Sequence, residues 1–171
     1  MRLRQRARKR RGVETLELIL VLPVLVILIV FCVQFAMVAI FQSAVVHAAT
    51  VGAREAGKGA DLDTIVDAVQ RIVGVNCIAI SDVNGSGTKI ILEDADSMLP
   101  PEEFGDPLLD CTLPANALGP NQVRVTVCVD LTATPFCNAL AAWGVTFAGR
   151  ELKASSLVVK EYEQDLGVGV P

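Results

Sequence analysis

The feature that most constrains this chain is a long stretch without a charged side chain. From Leu18 to Ala53 the sequence contains no Asp, Glu, Lys or Arg, and only His47 could carry charge. Its most apolar part, Leu18 to Phe41, exceeds the roughly 20 residues that a helix needs to cross a bilayer core. Because a lipid-facing backbone must satisfy its own hydrogen bonds, the many β-branched residues here do not argue for a strand. The stretch predicts a single membrane-spanning helix.

A secretory signal peptide is the competing interpretation of this stretch. Its apolar region would run only about 7–15 residues and end at a small-residue cleavage site. Here the run is longer, and the only such context, near Ala48, lies well beyond its end. We therefore expect the apolar helix to stay on the protein.

Helical character continues past the predicted membrane span. Small residues recur every fourth position, at Ala44, Ala48, Gly52 and Ala56. Such a stripe lets another element approach closely, either the protein's own outer domain or a neighbouring subunit. We expect one helix over residues 13–57, roughly 65 Å long at a rise of about 1.5 Å per residue.

Charge is distributed unevenly along the chain. Seven basic side chains and no acid precede the apolar stretch: Arg2, Arg4, Arg6, Arg8, Lys9, Arg10 and Arg11. The positive-inside rule places this leader in the cytoplasm and the acidic remainder outside the cell membrane. A nucleic-acid-binding tail is the alternative, but the leader abuts the membrane segment and has no aromatic residue for stacking. No nucleic-acid partner is expected.

The entry to the apolar helix carries a spaced motif. Gly12 ends the basic leader, Glu17 is the fifth residue after it and Pro23 the eleventh, and Gly52-Ala53-Arg54 follows near the end of the predicted helix. This pattern resembles the TadE-like family, pilin-like proteins of the Flp/Tad branch of type IV pilin-like proteins. Members of that family usually have an aromatic residue after the glutamate, where this chain has Leu18.

The resemblance implies roles for the residues at the membrane entry. In this family a prepilin peptidase cuts after the glycine, here between Gly12 and Val13, and leaves the apolar helix attached. Glu17 would then pair with the free amine of Val13 in a neighbouring subunit. The implied partners are other pilin-like subunits and an inner-membrane pilus assembly platform. The alternative is that Glu14 and Glu17 merely favour a helix N-terminus at headgroup depth.

The chain is thus divided into a cytoplasmic leader (1–12), a transmembrane and protruding helix (13–57) and an extracytoplasmic outer domain (58–171). In the outer domain, Asp61 is predicted to cap an amphipathic helix that Gly74 ends. Strands are predicted over 75–83, 88–93, 122–131 and 151–162, the first two joined as a hairpin by residues 84–87. Five prolines predict an irregular loop over 94–121, and Thr134-Pro135 begins a short helix that ends at Gly144. The predicted fold class is α+β: a long helix, then a small antiparallel sheet with one or two short helices.

Five cysteines divide between the two regions. Cys32 lies in the predicted span, and four lie in the outer domain: Cys77, Cys111, Cys128 and Cys137. An even number in an extracytoplasmic domain predicts two disulfides, with three pairings possible. No CxxC spacing occurs and His47 is the only histidine, so neither a metal site nor a cofactor is expected.

These features favour an assembly subunit of a pilus or secretion system over an enzyme. The single histidine lies on the anchor helix, so no Ser/His/Asp or Cys/His arrangement is available, and Gly85-Ser86-Gly87 is too short for a phosphate loop. The clustered carboxylates Glu93, Asp94 and Asp96 are interpreted as a solvated loop, and no small-molecule substrate is expected. The alternative function is a single-pass, signal-anchored protein whose outer domain binds a partner unrelated to pili.

Overall fold

The computed structural model describes residues 3–76, 78, 80, 85–97, 100–133 and 149–161, with the backbone alone at 3–16, 76 and 133. Its helices and strands, in chain order, are α1 (Leu3–Gly57), α2 (Leu62–Val73), β1 (Thr88–Asp94), β2 (Glu102–Gly105), β3 (Gln122–Asp130) and β4 (Glu151–Val159). Short 3₁₀ turns follow α2 and β3, at Gly74–Asn76 and Leu131–Ala133. The predicted α+β class, a long helix followed by a small antiparallel sheet, is confirmed.

The first helix is longer than predicted. It begins at Leu3 rather than at residue 13 and runs without interruption to Gly57. The leader consists largely of Arg and Lys, which are good helix formers, and it contains no proline that would stop the helix. Pro23 lies inside α1, where its ring removes a backbone donor.

The sheet has four antiparallel strands in the order β2-β1-β3-β4. Helix α1 packs on β3 and β4 and also on α2. Strand β3 is buried over most of its length on both faces. Its valines at 123, 125, 127 and 129 join the main core with one face of α2, namely Ile65, Val69 and Val73. The predicted alternation in β3 and the predicted apolar face of α2 both lie where the sequence placed them.

The opposite face of the sheet carries a second, smaller core. Ile91 and Cys128 of the sheet contact Leu109 and Cys111, which belong to the segment after β2. That segment therefore covers the side of the sheet that the helices leave open, as a two-faced sheet requires.

Two local predictions were wrong. The segment over 94–121 contains β2, which pairs with residues Lys89 to Leu92 of β1. The other edge of β1 pairs with β3, so both edges of β1 are occupied and the predicted hairpin with residues 75–83 does not form there. Val75 lies in a 3₁₀ turn, and most of that predicted strand lies outside the described residues.

Element ends also differ from expectation. β4 ends at Val159 instead of reaching residue 162. Asp61 occupies the N-cap position of α2, but its carboxylate accepts a hydrogen bond from the Thr64 hydroxyl and caps no backbone N–H. The helix predicted to begin at Thr134-Pro135 lies outside the described residues.

Candidate functional site: the anchor helix and its junction with the outer domain

The lower part of α1 is uncovered. We call Leu18 to Val33 the free anchor, because the large apolar side chains over 18–29 are between 41% and 72% exposed. Within the part of the chain that the structure describes, one helix, from Glu17 to Gly57, is long and apolar enough to cross a membrane. Length and composition thus make α1 the candidate membrane anchor.

Glu17 stands at the lower end of the free anchor. Its side chain is exposed, and Leu18 directly above it is 63% exposed. No ion-pair partner for Glu17 is found among the side chains that the structure describes. A carboxylate at the edge of an apolar span is costly in hydrocarbon and normally has a partner there.

The backbone at the predicted cleavage position is helical. Both Gly12 and Val13 lie inside α1, whereas a protease binds its substrate in extended form. Because glycine is roughly 1 kcal/mol less favourable than alanine within a helix, Gly12 weakens the helix at the position where it would have to unwind.

The upper part of α1 packs on one side against the outer domain. Gln34 and Phe41 are each 3% exposed. The small-residue stripe lies within this covered part: Ala48 and Ala56 are buried, and Ala44 is half-buried. A Cβ added to Gly52 would lie only 2.9 Å from Val69 Cγ2 and 3.2 Å from Val125 Cγ1.

The stripe therefore packs against the protein's own outer domain, with Gly52 lying between α2 and β3. Of the two alternatives left open by the sequence, this is the intramolecular one. Next to the stripe, Ala53 is buried and Arg54 is exposed, so Arg54 is the member of the Gly-Ala-Arg string that faces outward.

The acidic residues that the sequence placed in a solvated loop are instead paired. Arg124 donates to both carboxylate oxygens of Glu93, at 2.6 and 2.8 Å, and to the backbone oxygen of Asn116. The hydrogen bond to Glu93 raises the pKa of Arg124. Lys160, which is 6% exposed, lies 2.6 Å from Asp94 Oδ1 and 2.9 Å from Asp96 Oδ2.

Sequence reasoning also missed Asp106, which organises the lower end of the sheet. Its Oδ2 accepts the backbone N–H groups of Gly85 and Gly87 at 2.8 and 2.9 Å, and its Oδ1 accepts that of Leu108 at 2.9 Å. These backbone donors, that of Gly87 first, lower the pKa of Asp106 below its ordinary value. An Asp before Pro107 is a turn signal, and this was the only local sign of the arrangement.

A disulfide joins the segment after β2 to the sheet. Cys111 and Cys128 are bonded, with their Cα atoms 6.0 Å apart. Cys32 is a free, exposed cysteine on the anchor. Cys77 and Cys137 lie outside the described residues, so their predicted disulfide stays a prediction.

Among the described residues, no group of three or more His, Cys, Asp or Glu side chains could hold a metal ion. Asp106 and Asp130 line a cleft with Leu108 and Thr132, but the carboxylate oxygens of both acids already accept hydrogen bonds from nearby groups. What the arrangement provides is a long apolar helix that is exposed in its lower part and packed in its upper part against a small, disulfide-bonded domain.

The comparison with known proteins gives a family match on α1. No curated protein and no solved structure matches the chain. Residues 12–54 match the family model described as TadE-like protein. The match begins at Gly12, includes Glu17 and Pro23, and ends at Arg54, the last residue of the Gly-Ala-Arg string. Over this segment, about a quarter of its length, the chain is similar to the TadE-like family.

Proposed function

We propose that this protein is a membrane-anchored, pilin-like subunit that serves the assembly of a Tad/Flp-type pilus or secretion system. Its role is structural and not enzymatic. The observation that carries the proposal is the TadE-like match over residues 12–54. The matched segment lies on α1, whose lower part, Leu18 to Val33, is exposed and whose upper part packs on one side against the protein's own outer domain.

The proposal includes an orientation and a processing step. The basic leader (residues 1–12) stays on the cytoplasmic side of the inner membrane, as the positive-inside rule predicts, and the outer domain lies outside. A prepilin peptidase cuts between Gly12 and Val13. The new amine of Val13 then lies about 6 Å below Glu17, one turn along the same helix.

Assembly would use the free anchor. The small-residue stripe is unavailable to other subunits because α2 and β3 already cover it. Helices from neighbouring pilin-like subunits, held at the assembly platform, would pack along Leu18 to Val33. Pairing of Glu17 with a neighbour's Val13 amine would relieve the cost of a carboxylate in hydrocarbon.

The test compares processing with assembly in the native host. Intact mass of the purified protein is expected to show loss of residues 1–12. Glu17→Ala, and the nearly isosteric Glu17→Gln, are expected to abolish assembly while membrane insertion stays normal. Glu14→Gln is the matched control, since it removes a carboxylate from the same turn without touching the motif.

Two results would contradict the proposal. Pilus or secretion output that is unchanged in Glu17→Gln would remove the pairing role. Retention of residues 1–12 on the mature chain would instead favour a plain signal-anchored protein.

A further inference from the structure

The turn at Pro107 and Leu108 exposes an apolar side chain at one end of the sheet. Leu108 is 74% exposed, although its neighbour Leu109 is buried in the second core. Leu108 borders the same cleft as Asp130 and Thr132, so it lies at the end of the sheet where β3 finishes.

That end of the sheet points toward the membrane. A Cβ on Gly57 would lie 2.9 Å from Val158 Cγ1, and one on Gly52 would lie 3.2 Å from Val125 Cγ1. Val158 pairs with Val123, so Gly57 lies at the level of Val123 and Gly52 at the level of Val125. Five residues toward the start of α1 therefore correspond to two residues toward the end of β3. These steps are both about 7 Å. Helix α1 and strand β3 therefore lie side by side, and the strand end at Asp130 faces back along the helix toward the free anchor.

The register gives the height of Leu108 above the free anchor. Thr88 pairs with Val129, which lies six residues, or about 20 Å, along β3 from Val123. This distance equals about 13 residues of helix, and counting them down from Gly57 gives the level of Ala44. The backbone N–H of Asp106 donates to Thr88 O at 2.8 Å, so the turn that follows lies at or below this level.

The bilayer boundary falls close to that height. Counting about 20 residues upward from Leu18 places the outer edge of the hydrocarbon near Met37, and the headgroup layer adds about 5–7 Å on that side. Met37 and Ala44 are separated by about 10 Å of helix. Phe41 is buried in the core that α1 shares with the outer domain, so the domain reaches to within about 6 Å of this boundary on one side of the helix.

We propose that the outer domain rests on the outer surface of the lipid bilayer, with Leu108 of the Pro107–Leu108 turn contacting the headgroup layer. The domain is thus not held away from the membrane on a stalk. This inference rests on the membrane anchoring in the proposed function, but not on cleavage or on pilus assembly.

The test uses the full chain in vesicles of phosphatidylethanolamine and phosphatidylglycerol doped with a nickel-chelating lipid. A nitroxide is attached at Leu108→Cys in a Cys32→Ser background, and relaxation by the headgroup nickel reports its proximity to the lipid surface. Glu102→Cys is the matched control, because Glu102 is exposed but lies farther from the bilayer than Leu108. Its strand partner Leu92 pairs with Val125, which lies at the level of Gly52 on α1. The Cys32→Ser parent gives the background from other thiols.

We expect relaxation enhancement at Leu108 to be several-fold larger than at Glu102. Equal enhancement at both sites would overturn the inference. A label on native Cys32 separates the two proposals, since it should collide with oxygen and not with a water-soluble relaxant. A water-exposed Cys32 would overturn the anchor itself and the docking with it. A deep Cys32 with a remote Leu108 would overturn the docking alone.

Discussion

Removal of the Cys111–Cys128 disulfide should cost the outer domain a large part of its stability. The bond closes a loop with a sequence separation of 17. On the chain-entropy model, removing a cross-link that closes a loop of this size increases the entropy of the unfolded chain and lowers its free energy by about 3 kcal/mol at 25 °C. Cys128 is fully buried, and both cysteines belong to the second core with Ile91 and Leu109. We therefore expect Cys111→Ala combined with Cys128→Ala to lower the free energy of unfolding by about 3 kcal/mol or slightly more.

The assay is urea unfolding of the full chain in nanodiscs, followed by fluorescence of the outer domain. With a slope of about 1–3 kcal/mol/M, the midpoint should fall by roughly 1–3 M. Cys32→Ala is the negative control, because Cys32 is exposed on the anchor. The double variant of Cys77 and Cys137 measures any second disulfide separately. A loss below about 1 kcal/mol, or peptide mapping that joins Cys111 to another cysteine, would refute this reasoning.

Three further predictions concern the sheet and its turns, and each is measured by the urea midpoint. Gly105→Ala should destabilise the protein by more than about 1 kcal/mol, because φ is +115° and the new Cβ would clash with Thr88 O. Gly149→Ala, where φ is +72° and no atom lies within 4 Å of the new Cβ, measures the cost of the backbone conformation alone. The pKa of Asp106 is lowered in the folded protein, so the carboxylate stabilises the fold above its unfolded pKa, and this stabilisation is lost as pH falls through the folded pKa. Asp106→Asn should therefore lower the free energy of unfolding at pH 7 and make it fall less steeply below roughly pH 4. An equally steep fall in the variant would contradict this. Thr126→Val should stabilise by roughly 1 kcal/mol, because its buried hydroxyl has no hydrogen-bond partner in the structure, and a destabilised variant would indicate a missing partner.

The parts of the fold that local sequence patterns determine were predicted well. The uncharged stretch, the i, i+4 apolar spacing of α2 and the period-two valines of β3 each depend on residues close together in the sequence. Their structural counterparts appear at nearly the predicted positions. The disulfide was foreseen as a class, since an even cysteine count in an outer domain favours pairing, but the choice of Cys128 for Cys111 depends on how the sheet is assembled.

The features that the sequence could not supply depend on distant partners. β2 is only four residues long and lies among prolines, without alternation to identify it. It forms because one edge of β1 is free to pair with it. An ion pair between Lys89 Nζ and Glu103 Oε2, 2.7 Å apart, joins the two strands. Lys160 reaches Asp96 across 64 residues. The carboxylates of Asp94 and Asp96, which look solvated in the sequence, are paired with Lys160 only because β4 lies alongside β3.

The same limit explains why a small-residue stripe alone does not identify a subunit interface. Ala48, Gly52 and Ala56 have the spacing that lets any element approach closely, and the spacing is identical whether that element belongs to the same chain or another. The residues that pack against Gly52 decide between an intramolecular and an intermolecular contact. Val69 and Val125 of the same chain lie so close to Gly52 that even a methyl group would not fit. With that face occupied from Gln34 upward, a neighbouring helix in the membrane can approach all sides of α1 only along the free anchor. Under the proposed function, assembly specificity would then come from the apolar surface of the free anchor and from Glu17 at its lower end.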